Sequence, residues 1–155
     1  MKTISPIQYM RAHGNSPGPT HRPVATGLIS GLTAALPSVA VRYWTGALAS
    51  EANGLGVSWV TMTAIGVVIL AAAGVVYSVV FQRAANDRRG GWLFGISYGF
   101  LIWMVGPVAI WQWAVGEPLA TGTAAMGLLG AQLIYGLTLG GIYPLVNRRT
   151  QTRMK

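Results

Sequence analysis

The chain has 155 residues, of which 52% are hydrophobic and only 9% are charged, whereas a soluble domain carries about 25% charged residues. No soluble core of this size could bury so much apolar surface, so the composition excludes an ordinary soluble domain. The net charge of +8 does not indicate nucleic acid binding, because the basic residues form short clusters between long apolar runs.

Residues 1–22 lack the apolar run of a signal peptide, and we predict a cytoplasmic arm there. A helix needs about 20 apolar residues to cross the hydrocarbon core, and four stretches meet this requirement. We therefore predict an all-α membrane protein with a transmembrane domain at residues 23–147 and a basic cytoplasmic tail at residues 148–155. The four predicted spans cover about residues 23–43, 58–81, 91–114 and 122–145.

The basic residues lie almost entirely on one side of the predicted spans. Of the 11 lysines and arginines, all except Arg42 precede span one, separate spans two and three, or follow span four. The positive-inside rule then places both termini in the cytoplasm. We expect Arg42 to extend toward the outer interface, where Glu51 or Glu117 could pair with it.

Five arginines next to the cytoplasmic ends of the spans are expected to contact anionic lipid head groups. They are Arg83, Arg88, Arg89, Arg148 and Arg149. The expected partners of the protein are therefore anionic lipids and other membrane protein subunits, and not nucleic acid.

Small residues recur at four-residue spacing on three of the predicted spans. The glycines among them are Gly27, Gly31, Gly91, Gly95, Gly99, Gly136 and Gly140. Lipid tails are as apolar as leucine side chains, so membrane helices associate through the close packing that small residues permit. These glycine faces are expected to pack the four helices together, to dock another subunit, or to do both.

The two halves of the chain resemble each other. Three residues at the end of span two recur 66 positions later at the end of span four: Gly74, Tyr77 and Arg83 match Gly140, Tyr143 and Arg149. At the front of spans one and three, Gly27 and Gly31 resemble Gly95 and Gly99, each pair with a later proline. Two helical hairpins duplicated in parallel would explain the pattern, and chance similarity among 21 glycines is the alternative.

The predicted spans contain little that could carry chemistry. Cysteine is absent, and histidine occurs only at His13 and His21, so the spans cannot supply thiolate ligands or two haem histidines. A proton or ion pathway needs intramembrane ionisable groups, which the sequence does not provide. No nucleophile–base pair or phosphate loop is present either, so we predict a protein that is not an enzyme and has no intrinsic cofactor or metal.

Three side chains within the spans could contact a bound lipid, quinone, (bacterio)chlorophyll or carotenoid: Trp103, Tyr98 and Gln132. An indole N–H and an amide both need hydrogen-bond partners inside hydrocarbon. The ordinary partner of Gln132 would be Tyr98 or a backbone carbonyl, and ordinary packing would also explain Trp103.

The segment GWLFGISYGFLIWMVGPVAIW (91–111), followed by AQLIYGLTLGGIYPLV (131–146), resembles a loose group of small, uncharacterised bacterial four-helix inner-membrane proteins of the YagU-like kind. The resemblance implies a glycine-spaced third helix that ends in a proline and a fourth helix with the pattern of Tyr135, Gly136, Gly140 and Tyr143. In that group a histidine often precedes the fourth-helix pattern, whereas Ala131 or Gln132 stands in that area here.

Three functions are compatible with these features. The first is a non-catalytic accessory or structural subunit of a larger membrane complex, of the respiratory or photosynthetic electron-transfer kind. The alternative is a stand-alone transporter or channel for a small neutral or lipidic solute. An enzyme acting on lipid at the cytoplasmic face is least favoured, because only Asp87, His13 and His21 could serve there as a general base.

Overall fold

A computed structural model describes residues 22–87, 90–110, 112–113, 116 and 122–152, with only the backbone considered for residues 150–152. This part of the chain is helical and contains no strand. The α-helices are α1 Pro23–Trp44, α2 Ala47–Gly54, α3 Trp59–Val80, α4 Gln82–Ala85, α5 Gly91–Trp103 and α6 Thr123–Thr152. Four segments are long and apolar enough to cross a membrane: Pro23–Trp44, Trp59–Val80, Gly91–Ile110 and Thr123–Arg149. The predicted four-span, all-α membrane protein is confirmed at this level.

Local sequence signals explain where several helices begin and end. Pro23 opens α1, where its missing N–H removes no helical hydrogen bond. The hydroxyl of Ser58 caps α3 by accepting a hydrogen bond from the backbone N–H of Thr61 at 3.1 Å. α6 continues through Thr152, so the helix includes the first residues of the expected basic tail.

The third span changes its helical geometry partway along. After α5, residues Met104–Ile110 form a π-helix that contains Pro107. Proline removes a backbone donor and disturbs the preceding turn, which a wider helix can accommodate. α1, in contrast, runs from Pro23 to Trp44 as one α-helix although it contains Pro37.

The helix pairs with the most extensive contacts are α5 with α6, α1 with α3, and α1 with α6. Tyrosine side chains connect α3 to the second hairpin. The hydroxyl of Tyr98 on α5 donates to the carbonyl of Ala73 at 2.7 Å, and that of Tyr135 on α6 donates to the carbonyl of Leu70 at 2.7 Å. A carbonyl oxygen has two lone pairs, so it can accept these bonds in addition to its helical one.

The predicted glycine faces are helix contacts within this chain. All seven glycines are buried. A Cβ at residue 74 would lie 2.6 Å from Cα of Gly31, and a Cβ at residue 140 would lie 3.0 Å from Cα of Gly95. Such separations leave no room for any side chain, so the backbones approach as small residues permit. Because these faces are occupied inside the bundle, they do not present a free docking surface for another subunit.

An aromatic core fills the end of the bundle where α1 begins, which we call the α4 end. Tyr77 lies 5.0 Å from Tyr98 and 5.7 Å from Tyr143, measured between ring centroids. The hydroxyls of Tyr143 and Ser78 are 2.6 Å apart, and Ser78 donates to the carbonyl of Pro23 at 2.5 Å. These bonds connect α6, α3 and the start of α1 at one level.

Candidate ligand-binding cleft

A buried ion pair lies at the opposite end of the bundle, which we call the α2 end. Arg42 is in the last turn of α1, and its Nε donates to Oε2 of Glu51 on α2 at 3.0 Å. A second guanidinium nitrogen, Nη2, contacts the same oxygen. The side chains of Arg42 and Glu51 are only 4% and 10% exposed. Glu51 was one of two partners predicted for Arg42, and this pairing is confirmed; Glu117 lies outside the described residues.

The predicted extension of Arg42 toward the outer interface is wrong, as is the expectation of spans without charge. The side chain turns inward because Gly66 on α3 leaves room for it: a Cβ at residue 66 would lie 3.4 Å from Cζ of Arg42 and nearer still to Nη1. Glu51 provides the counter-charge that makes this burial tolerable. Arg42 was counted with the charges between the spans although the predicted span of about residues 23–43 already included it; in the structure it lies in the last turn of α1.

Burial raises the pKa of the Glu51 carboxyl, and the positive charge and hydrogen bonds of Arg42 lower it by a smaller amount. The net shift is upward, so burying the carboxylate is unfavourable even with its partner in place. A buried ion pair of this kind is weak evidence for stability, since desolvation can exceed the Coulombic gain.

Next to this ion pair is a cleft of about 290 Å³, which we call the Arg42 cleft. Its walls come from α1, α2, α3, α6 and the third span. The lining residues are Arg42, Glu51, Leu55, Met62, Ile65, Gly66, Ile69, Leu70, Ile102, Gly106, Pro107, Ile110 and Gln132. Ile65, Ile69 and Ile110 are also exposed on the surface of the bundle, so the cleft opens on an apolar face.

Gln132 is the third polar residue of the cleft. It lies on α6, is 7% exposed, and its Oε1 atom is buried without a hydrogen-bond partner in the described part of the chain. The expected bond to Tyr98 is not formed, because the hydroxyl of Tyr98 donates to the carbonyl of Ala73 instead. A buried amide oxygen without a donor is unfavourable by about 1–3 kcal/mol.

Arg42, Glu51 and Gln132 are the charged and amide side chains that line the cleft. The bonds of Tyr135 to Leu70 and of Tyr143 to Ser78 both join residues 65 positions apart, which sets the register of α6 against α3. This register puts Gln132 at about the level of Gly66 along the bundle, and both residues line the Arg42 cleft. Gly66 is seven residues into α3, or about 10 Å from its beginning. The Arg42 cleft thus contains a polar level, formed by Arg42, Glu51 and Gln132, and it opens to the surface of the bundle between exposed isoleucine side chains.

The other predicted contact residues do not line this cleft. Tyr98 is buried in the aromatic core, and the ring of Trp103 lies 5.7 Å from that of Phe100. The indole Nε1 of Trp103 is buried and lacks a partner among the residues described here. Of the three candidates only Gln132 is in the Arg42 cleft. Sequence reasoning missed Arg42, Glu51 and Gly66 as site residues, although the isolated position of Arg42 among the basic residues was a usable signal.

The arginines expected to contact anionic lipids lie at the α4 end where the structure describes them. Arg83, Arg148 and Arg149 are exposed there, whereas residues 88 and 89 lie outside the description. Among the described residues, no group of three or more histidine, cysteine or acidic side chains is arranged to hold a metal ion. His13 and His21 lie outside the description as well.

Comparisons with known proteins give no family for this chain: no family model matches, and no curated protein or solved structure matches significantly. The fold and the cleft define an integral membrane protein with a helical bundle of four candidate spans. Its distinguishing feature is a buried Arg42–Glu51 pair in an apolar cleft.

Proposed function

We propose that this protein is a non-catalytic membrane protein that binds a lipid-soluble molecule in the Arg42 cleft. The observation that carries the proposal is Gln132, a buried amide whose oxygen has no partner in the described chain and which lines an open apolar cleft. Clefts lined mainly by apolar side chains with a few convergent polar groups are the usual form of small-molecule sites. A ligand entering from the bilayer would bury its apolar part between α3 and the third span.

The ion pair supports the same proposal. Ionisable residues inside membrane segments are rare, unfavourable and commonly functional. Arg42 and Glu51 both line the cleft, so the pair is placed where it can contact the polar head group of a ligand.

Native mass spectrometry of the protein from its source membrane, in mild detergent, tests this function. We expect a defined lipid-soluble molecule to remain bound to the wild-type chain. Ile69→Trp should fill the cleft and abolish retention. Val68→Trp is the matched control, because Val68 is the neighbouring residue on α3, is 68% exposed and does not line the cleft. Equal retention by both variants, or no retained molecule in the wild type, contradicts the proposal.

A role as an accessory subunit of a larger membrane complex, of the respiratory or photosynthetic electron-transfer kind, is compatible with cleft binding. The third span favours it: only 17% of its apolar window is buried, against 33–44% for the other three spans. A neighbouring subunit could cover its exposed aromatic residues, which include Trp92 and Phe100. Cross-linking in the source membrane should then capture another subunit through this span; a monomer without partners would contradict this role.

Transport of a neutral or lipidic solute is the alternative use of the cleft. Proteoliposomes that contain only this chain would show flux of the bound molecule if the cleft opens to both leaflets. Retention of the ligand without flux would support a binding role alone.

For orientation, we propose that both termini face the cytoplasm of a bacterial cell and that the α2 end faces outward. The support is the excess of lysine and arginine at the α4 end, where Arg83, Arg148 and Arg149 are exposed. The chain contains no cysteine, so single cysteines introduced at residues 53 and 149 can be labelled without background. A membrane-impermeant maleimide should label intact spheroplasts at residue 53 and not at residue 149.

We also propose that the two hairpins arose by parallel duplication, as the resemblance between the two halves suggested. In the first hairpin Gly74 packs against Gly27 and Gly31, and in the second Gly140 packs against Gly91 and Gly95. By these contacts Gly27 and Gly31 correspond to Gly91 and Gly95, 64 positions later. The sequence pattern matches them instead to Gly95 and Gly99, one helical turn further along. Kinship with the YagU-like group stays a prediction.

A further inference from the structure

We infer that the Arg42 cleft selects an uncharged amphiphile whose head group donates a hydrogen bond through a hydroxyl. The inference rests on the proposed function and specifies the chemistry of its ligand. Three features of the cleft support it: the unpaired acceptor of Gln132, the internal neutrality of the ion pair, and the depth of both.

The buried amide oxygen of Gln132 requires a hydrogen-bond donor from the ligand. Oε1 of Gln132 can only accept a hydrogen bond, and no donor reaches it from the described residues. In the amide orientation of this structure, a ligand that brings a donor satisfies Oε1, whereas a ligand with only acceptors leaves it unsatisfied and adds repulsion between lone pairs. Sites that hydrogen-bond a hydroxyl discriminate strongly against analogues that lack one, because the buried polar group is then left unpaired.

The Arg42–Glu51 ion pair restricts the charge of the ligand. Nε and Nη2 of Arg42 both contact Oε2 of Glu51, so the guanidinium is already neutralised within the protein. An anionic head group, such as a phosphate monoester, would have to approach the Glu51 carboxylate or displace it. A cationic head group would meet Arg42 in the same way. The pair therefore favours an uncharged head group and repels both kinds of ion.

The position of the polar level and the opening of the cleft restrict the shape of the ligand. The polar level lies about 10 Å from the beginning of α3, and Met62, Ile65 and Ile69 line the walls around it. The open side of the cleft is formed by exposed isoleucines that would face lipid tails. A compact head group on an apolar tail fits this geometry, since its hydroxyl can reach Gln132 while the tail stays in the hydrocarbon.

Isoprenoid quinols and diacylglycerols both carry an uncharged head group with a hydroxyl donor on an apolar tail. Each has a close analogue without that hydroxyl. Four probes can be compared on the full chain in nanodiscs by displacement of a fluorescent lipid: decylubiquinol and decylubiquinone under anaerobic conditions, and dioctanoylglycerol and dioctanoyl phosphatidate. Decylubiquinol differs from decylubiquinone only by carrying donors, whereas dioctanoyl phosphatidate differs from dioctanoylglycerol by losing the free hydroxyl and gaining a charged phosphate. The quinol pair therefore tests the donor requirement alone, the glycerolipid pair tests rejection of a charged head group in place of the hydroxyl, and the comparison of the two pairs shows which source the cleft prefers.

We expect at least one hydroxyl probe to bind about tenfold more tightly than its analogue, the ratio given by one hydrogen bond. Gln132→Leu should remove that preference. Gln112→Leu should retain it, because Gln112 is exposed and does not line the cleft. A hydroxyl preference that survives Gln132→Leu overturns the assignment of Gln132 as the acceptor.

Three other outcomes distinguish failure of the hydroxyl rule from failure of cleft binding itself. Equal binding of all four probes, each weakened by Ile69→Trp, overturns the hydroxyl rule and leaves lipid binding in the cleft intact. If no probe binds and no native molecule is retained, both the hydroxyl rule and cleft binding are wrong. If water alone satisfies Gln132, the probes show no dependence on residue 132, which also overturns the rule.

Discussion

The guanidinium of Arg42 rests against α3 at Gly66, in space that any side chain at residue 66 would occupy. This contact holds Arg42 inward, where its ion pair with Glu51 lines the same cleft as Gln132. A glycine on one helix thus determines the position of a charge on another, and the polar level of the cleft depends on that relationship.

Gly66→Ala should therefore be less stable than Gly130→Ala by about 1 kcal/mol, because its added methyl group meets the end of the Arg42 side chain and forces the hydrogen-bonded guanidinium to shift, whereas both variants share the gain in helix propensity. Unfolding in detergent measures the change. Gly130→Ala is the control, since a Cβ at residue 130 meets nothing within 4 Å; it should be neutral or slightly stabilising. Equal behaviour of the two variants would mean that Gly66 does not position Arg42.

The two members of the ion pair should show strong coupling. Arg42→Leu leaves Glu51 buried without its partner and should cost about 3–5 kcal/mol of unfolding free energy. The double variant Arg42→Leu/Glu51→Leu removes both charges and should recover most of this loss. A double-mutant cycle in detergent measures the coupling. Additive losses would show that the pair contributes no mutual interaction.

Protonation of Glu51 should make stability depend on pH. Its folded-state pKa is raised above the ordinary value of 4.5, mainly by burial. The folded protein therefore binds the proton more tightly than the unfolded chain, so this contribution to stability is complete below about pH 4.5. It is lost as pH rises through the raised pKa. The Tm of the wild type should fall relative to Glu51→Gln over that range; a constant difference would contradict the raised pKa.

Gln132 should reduce stability in the absence of a ligand. Gln132→Leu removes a buried oxygen that lacks a partner and should raise the unfolding free energy by about 1–3 kcal/mol in ligand-free detergent. Loss of stability in this variant would show that Gln132 is satisfied inside the bundle. If Gln132→Leu both loses the hydroxyl preference and gains stability, Gln132 contributes to ligand binding and destabilises the ligand-free fold.

The spans and the glycine contacts could be predicted because they depend on local properties. Apolar length gave the four segments, and four-residue spacing gave Gly95 and Gly140, which indeed lie against each other. The cleft depends on relations between distant residues: Arg42 had to be placed relative to Gly66, and Gln132 relative to Tyr98. Sequence alone could not fix the register of α6 against α3, which the tyrosine bonds to Leu70 and Ser78 determine.

Photo-cross-linking in the source membrane tests most directly whether the Arg42 cleft holds a specific molecule. A benzophenone amino acid can replace Ile69, which lines the cleft, or Val68, which faces outward on the same helix. Cleft binding predicts that residue 69 captures one defined lipid-soluble species, while residue 68 captures a mixture that matches the bulk membrane. The same mixture at both positions would contradict it.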